Sequence, residues 1–260
     1  MTDPAPIFGI PELDKDLVPV LPGAWLGLLV GRPGSGSALF AKQFAQAAGP
    51  HRTPVIFYTT YERTEDIRRA FEEFGWRPEN VRIVNLADEY YERVLRRDLE
   101  VSRAREQGLT YRDVERAPPT TVERRTFNLQ NRILADLGTI ETPFRLVLDS
   151  LDFCLEILAP AEVMVVARQV RHLAQSHGGD ALLVFQSDIH ERRMAGLLEE
   201  LADLVLELRA EPKAEAFEHV LAIRKVRNHP ERSRSQTVLA TDHGLVLPSS
   251  EAAPPRSPGS

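Results

Sequence analysis

Two hydrophobic periods take turns along this chain. WLGLLV (Trp25 to Val30) is a short, continuous apolar run suited to a buried strand. The LFAKQFAQAA that follows puts Leu39, Phe40, Phe44 and Ala47 on one helical face. The order then repeats. VIFY (Val55 to Tyr58) reads as a strand, and TEDIRRAFEEFGW as a helix with Ile67, Ala70, Phe71 and Phe74 on one side. VRIVNL, FRLVLDS (Phe144 to Ser150) and ALLVFQS (Ala181 to Ser187) are further strands, with a helix around Val163 to Gln175 before the last. Strands alternating with amphipathic helices predict an α/β fold: a mostly parallel central sheet with helices on both faces. ADLVLELR, HVLAIRKVR, SQTVLAT and HGLVLP then follow with turn residues between them and no long helix, so the sheet is expected to continue as an antiparallel extension.

These elements outline one domain over residues 23–248. Residues 1–22 carry five prolines and are expected as an extended or turn-rich lead-in, and residues 249–260, rich in Pro and Ser, as a disordered tail. Residues 88–125 hold nine arginines and nine acidic residues. Tyr90, Val94, Leu95, Leu99 and Val101 supply only a partial apolar stripe there, which predicts a charged helical insertion facing solvent.

Composition narrows the function classes. With 260 residues and 43% hydrophobic content, the chain needs neither disulfides nor a metal to form a core. Its single cysteine, Cys154, excludes a disulfide framework and a cysteine-rich zinc site, and suits a reducing cytoplasm. The longest apolar stretch, Leu17 to Val30, is broken by Pro19, Pro22, Gly23 and Gly27, so no membrane span is expected. The first residues lack a basic start and an apolar signal core, and the expected compartment is the cytoplasm. A net charge of −6 argues against polyanion binding by the whole surface.

The strongest chemical signal is Gly31-Arg32-Pro33-Gly34-Ser35-Gly36-Ser37-Ala38. Its spacing is G-x-x-x-x-G between a strand and a helix, as in a phosphate-binding loop. Glycines let backbone N–H groups wrap a phosphate, and the helix N-terminus adds partial positive charge. The two positions after the second glycine are ordinarily Lys, which meets the β and γ phosphates, and Ser/Thr, which holds Mg²⁺. Here they are Ser37 and Ala38, so the loop is suited to holding a nucleotide such as ATP more than to cutting it.

With that loop in view, the chain resembles the RecA superfamily, most closely its KaiC- and RadA-like branch of P-loop ATPases. The resemblance is carried by FGIPELD, YTTYERTEDIRRAFEEFGW, FRLVLDSL and RKVRNHPERSRSQTVLATDHGLVL, in the family's order from Phe8 to Leu247. It implies a RecA-like fold and assigns roles by position. Glu62 falls on the first acid of the family's F-E-E pair, the one that positions the attacking water; the second acid is replaced by Arg63. Asp149 ends the Walker B strand, where it would reach Mg²⁺ through water. Gln186 matches a sensor of the γ-phosphate. Arg32 follows the first glycine, where some deviant loops carry a residue that reaches a neighbouring subunit. Lys225 and Arg227 resemble a K-x-R pair that touches nucleotide across a subunit boundary, and strand alternation puts both on one face.

The run Arg224 to Arg234 has five basic residues against one acid, Glu231. Three uses stay open: a finger for a neighbour's phosphate, a nucleic-acid contact, or a solvated hairpin. The histidines form no metal-binding spacing. Three functions follow from the resemblance. The first is a nucleotide-binding regulatory module with weak or no hydrolysis, whose partner is a second copy or a related RecA-fold ATPase. The others are an ATPase completed by an oligomer neighbour and a DNA-recombination accessory.

Overall fold

The computed structural model describes residues 6–47, 53–77, 79–106, 128–186, 188–213 and 216–248. The tail 249–260 and the later part of the charged insertion, from residue 107 on, lie outside the described residues.

A nine-stranded sheet runs through the described residues in the order β3-β2-β4-β5-β1-β6-β7-β8-β9. Its parallel part comprises β1 (Trp25–Gly31), β2 (Val55–Thr59), β3 (Val81–Asn85), β4 (Arg145–Asp149), β5 (Asp180–Phe185) and β6 (Leu204–Lys213). β7 (Ala216–Val226), β8 (Arg234–Thr241) and β9 (Gly244–Val246) extend it antiparallel, as the alternation without helices predicts.

Helices cover both faces. One layer holds α1 (Pro11–Leu17), α2 (Ser37–Gln46) and α3 (Thr64–Glu73); the other holds α5 (Leu129–Leu137), α6 (Leu151–Ile157), α7 (Pro160–His177) and α8 (Arg192–Leu201). β1 shows why its apolar run is continuous: Leu26, Leu28 and Val30 enter the α5–α8 layer, while Trp25 and Leu29 enter the α1–α3 layer. Gly27 lies on the Trp25 side. A Cβ there would stand 2.6 Å from the indole ring and 3.1 Å from Leu182, so the bare backbone is what lets Trp25 lie across the strand.

The proline-rich lead-in is not wholly extended. Residues 11–17 form α1, with Pro11 in the first turn and Leu13 and Leu17, four apart, fully buried. The Asp14 carboxylate accepts from the backbone N–H groups of Ile7 and Phe8 at 2.8 and 2.7 Å. Phe8 then packs against Trp25, Phe40 and Phe44. Gln43 of α2 joins both ends of the chain: its amide donates to the carbonyls of Gly9 and Leu245, and its Oε1 accepts from the N–H of Leu245 at 2.7 Å.

The charged insertion begins as α4 (Leu86–Glu106). Glu92 and Arg96 pair along it, and Glu89 receives a two-pronged contact from Arg132 of α5 at 2.8 and 3.0 Å. The rings of Tyr90 and Tyr91 meet Phe153.

Candidate functional site

After β1 the chain turns into the α1–α3 layer and after its neighbour β5 into the α5–α8 layer, and ligands in open α/β sheets settle in the crevice beyond strand ends that part in this way. There the loop 31–36 meets the ends of β2, β4 and β5 around a cavity of about 620 Å³. Gly31, Pro33, Gly34, Gly36, Ser37 and Ala38 form one wall; Tyr61, Glu62, Asp149, Asp152 and Gln186 face them.

Loop conformation follows from its glycines. Gly34 and Gly36 adopt φ +81° and +94°, which side chains disfavour. A Cβ on Gly31 would collide with Ser35 Oγ at 2.7 Å and Ser37 Cβ at 2.8 Å. Ser35 is buried and, among the described residues, its hydroxyl has no hydrogen-bond partner. Its neighbours Pro33, Gly34, Gly36 and Ser37 line the cavity, and backbone N–H groups in such a glycine-rich turn suit an anion.

The opposite wall is carboxylate-rich. Thr59 and Glu62 are tied together at the β2 end, where the Thr59 hydroxyl donates to the Glu62 carbonyl at 3.1 Å. Thr60 locks β2 to β4: its hydroxyl donates to the Asp149 carbonyl and accepts from the Ser150 N–H at 2.9 Å. Burial pushes the Asp149 carboxyl up to about 6; the nearby Lys42 charge opposes that rise, and Glu62 and Asp152 add to it.

Two residues in this region escape a sequence reading. Lys42, in the second turn of α2, is buried, and its ammonium donates to Glu62 Oε1 at 2.6 Å. Asp152, three residues past Asp149, is fully buried. One of its oxygens accepts from the Gln186 N–H at 3.1 Å and lies 2.8 Å from His190 Nε2, while the other has no partner among the described residues. The only signals are a lone charge in an apolar helix and a second acid one helical turn beyond a strand end.

Other expected residues lie elsewhere. Arg32 is largely exposed and pairs with Asp188 at 2.8 Å. Lys225 Nζ donates to the carbonyls of Glu199, Glu200 and Ala202. Arg227 meets Asp203 at 2.5 Å and donates to the carbonyls of Glu200, Leu201 and Ala202. Within this chain both cations therefore cap the C-terminal end of α8, where orphan carbonyls and the helix dipole favour positive charge. The rest of the basic run is also engaged: Arg224 with Glu199 and Glu207, Arg232 with Glu231, and Arg234 with Asp16.

Comparison with known proteins adds three findings. A family described as "ATPase: KaiC" matches residues 8–251. UPF0273 protein MK0039 of Methanopyrus kandleri is 37% identical over 68 residues, which are 26% of this chain and 27% of that protein, so the likeness spans about a quarter of the curated relative. Among solved structures, the KaiC-like protein PH0186 of Pyrococcus horikoshii aligns with a TM-score of 0.66 at 23% identity, covering 94% of this chain and 99% of that one. At that identity the agreement concerns the fold: the RecA-like arrangement of a parallel sheet with antiparallel C-terminal strands.

Proposed function

We propose, for a chain that belongs to the KaiC family of ATPases, that it is a nucleotide-binding regulatory or partner-binding module with weak or no hydrolysis. The observation behind this reading is the loop. A glycine loop with Gly34 and Gly36 at positive φ leads into a helix that begins with Ser37 and Ala38, so the lysine is missing and the one hydroxyl stands a residue before its ordinary place. The cavity volume lies within the usual range for small-ligand sites.

A triphosphate suits these residues. Backbone N–H groups and the start of α2 would hold its oxygens, and Gln186 and Ser37 lie in the same cavity. Magnesium would find the Asp149 carboxylate here, but less of a grip than in an ordinary loop, because position 38 is Ala38 and the Ser37 hydroxyl stands one residue early. Glu62 lies where a carboxylate could orient water, but it is already held by Lys42. Loss of one transition-state donor commonly slows chemistry about 10²–10³-fold, and this site lacks the lysine at position 37 as well as the second acid at Arg63. Partner binding follows as the use of a site that reports nucleotide without consuming it; the partner is a second copy or a related ATPase.

Titration with ATP tests the reading. Mass action requires the melting temperature to rise with ATP concentration. No rise at millimolar ATP would leave a scaffold without a ligand. Turnover by the purified chain at the roughly 1–10³ s⁻¹ of ordinary enzymes would instead make it a working ATPase.

A further inference from the structure

Lys42 is the one charged residue of α2, and it is buried in a layer of phenylalanines and alanines. Burying an ammonium is unfavourable unless something compensates it. Here the compensation comes from the nucleotide crevice. Lys42 follows Ala38 by four residues and so shares its helix face, one turn further on. Helical side chains lean toward the N-terminus, which carries this ammonium back toward the loop. It meets Glu62 at 2.6 Å and acts on the charge of Asp149, both of them residues of the cavity wall.

The crevice needs such a charge. Glu62, Asp149 and Asp152 form an acidic wall that repels a polyphosphate. Positions 37 and 38 bring no cation, and the one hydroxyl there, on Ser37, stands a residue before the position that ordinarily holds the metal. Arg32 is turned to Asp188, and Lys225 and Arg227 are taken up by the end of α8. A divalent ion at Asp149 would also have to share the space with the Lys42 ammonium, a like charge.

We propose that Lys42 is the resident cation of the phosphate site, standing in for the divalent ion, so that a nucleoside triphosphate binds without magnesium. The proposal rests on the reading of this crevice as a nucleotide site and goes beyond it in naming the cation. Glu62 then has a different role from that implied by the F-E-E resemblance: it anchors the ammonium and is a positioning residue.

The test is calorimetric titration of the full chain with ATP, once in excess EDTA and once with magnesium. The two dissociation constants are expected to agree within about threefold, and Lys42→Met to weaken metal-free binding by about tenfold or more. The triple variant Ser37→Lys, Ala38→Thr, Lys42→Leu restores the ordinary donor set and is expected to bind ATP only with magnesium. Wild-type binding that requires magnesium overturns the role of Lys42 and leaves the nucleotide site standing. Equal metal-free binding by Lys42→Met overturns it in the same way. No binding under either condition overturns both readings. If Lys42→Met does not fold, the wild-type comparison decides, with Lys42→Arg expected to keep metal-free binding.

Discussion

Lys42 and Glu62 are paired at 2.6 Å but are unequally exposed: the lysine side chain is 6% exposed and the glutamate 37%. Water can therefore replace the lysine for Glu62, but it cannot readily replace the glutamate for Lys42. Removing one partner of a buried pair strands the other charge, and the cost depends on which is stranded. Glu62→Ala should lower stability by about 2–3 kcal/mol and Lys42→Met by about 1 kcal/mol or less. Urea denaturation of both variants checks this; the reverse order would refute the assignment of Lys42 as the more buried charge.

Asp149 should leave a signature in the pH dependence of stability. Its carboxyl is pushed up to about 6 by burial, against about 3.9 in an unfolded chain. Between those values the folded state binds more protons than the unfolded one, so this group costs stability as pH rises from about 4 to 6. Asp149→Asn removes that cost. It should match wild type near pH 3.5 and exceed it by about 3 kcal/mol at pH 7. A gap that stays constant across this range would rule out the titration.

Arg227→Ala separates a structural cap from a ligand contact. The substitution removes the 2.5 Å contact to Asp203, which is almost fully buried, and frees three carbonyls at the end of α8. A loss of about 2 kcal/mol is expected in thermal or urea unfolding, with little change in ATP affinity of the isolated chain. Unchanged stability with weakened ATP binding would move Arg227 into the nucleotide site.

Gly27→Ala probes the packing of β1. The added methyl would sit 2.6 Å from the Trp25 ring, and overpacking of this kind costs about 1–3 kcal/mol. Combining it with Trp25→Leu should make the two effects non-additive, since the second change removes the obstructing ring. Strict additivity in a double-mutant cycle would count against the contact.

The strand–loop–helix unit was legible because a continuous apolar run, clustered glycines and a 3.6-residue period adjoin without interruption at Trp25 to Gln46. Asp149 and Gln186 were legible because polar residues closing apolar strands must emerge at one edge of a parallel sheet. α1 was not, because seven residues give only two buried leucines at helical spacing. Lys42 was hidden for a different reason. A lone lysine in a helix reads as solvent-facing, and its partner Glu62 arrives only through the crossover to β2. Alternation correctly placed Lys225 and Arg227 together, but nothing local reveals that the end of α8 meets them.

Gln43 has a consequence for shortened chains. Two of its three side-chain hydrogen bonds are to Leu245, and the third is to Gly9. A chain that stops before residue 245 therefore leaves the Gln43 side chain with the Gly9 carbonyl alone, and the helix after the glycine loop loses its tie to the far edge of the sheet.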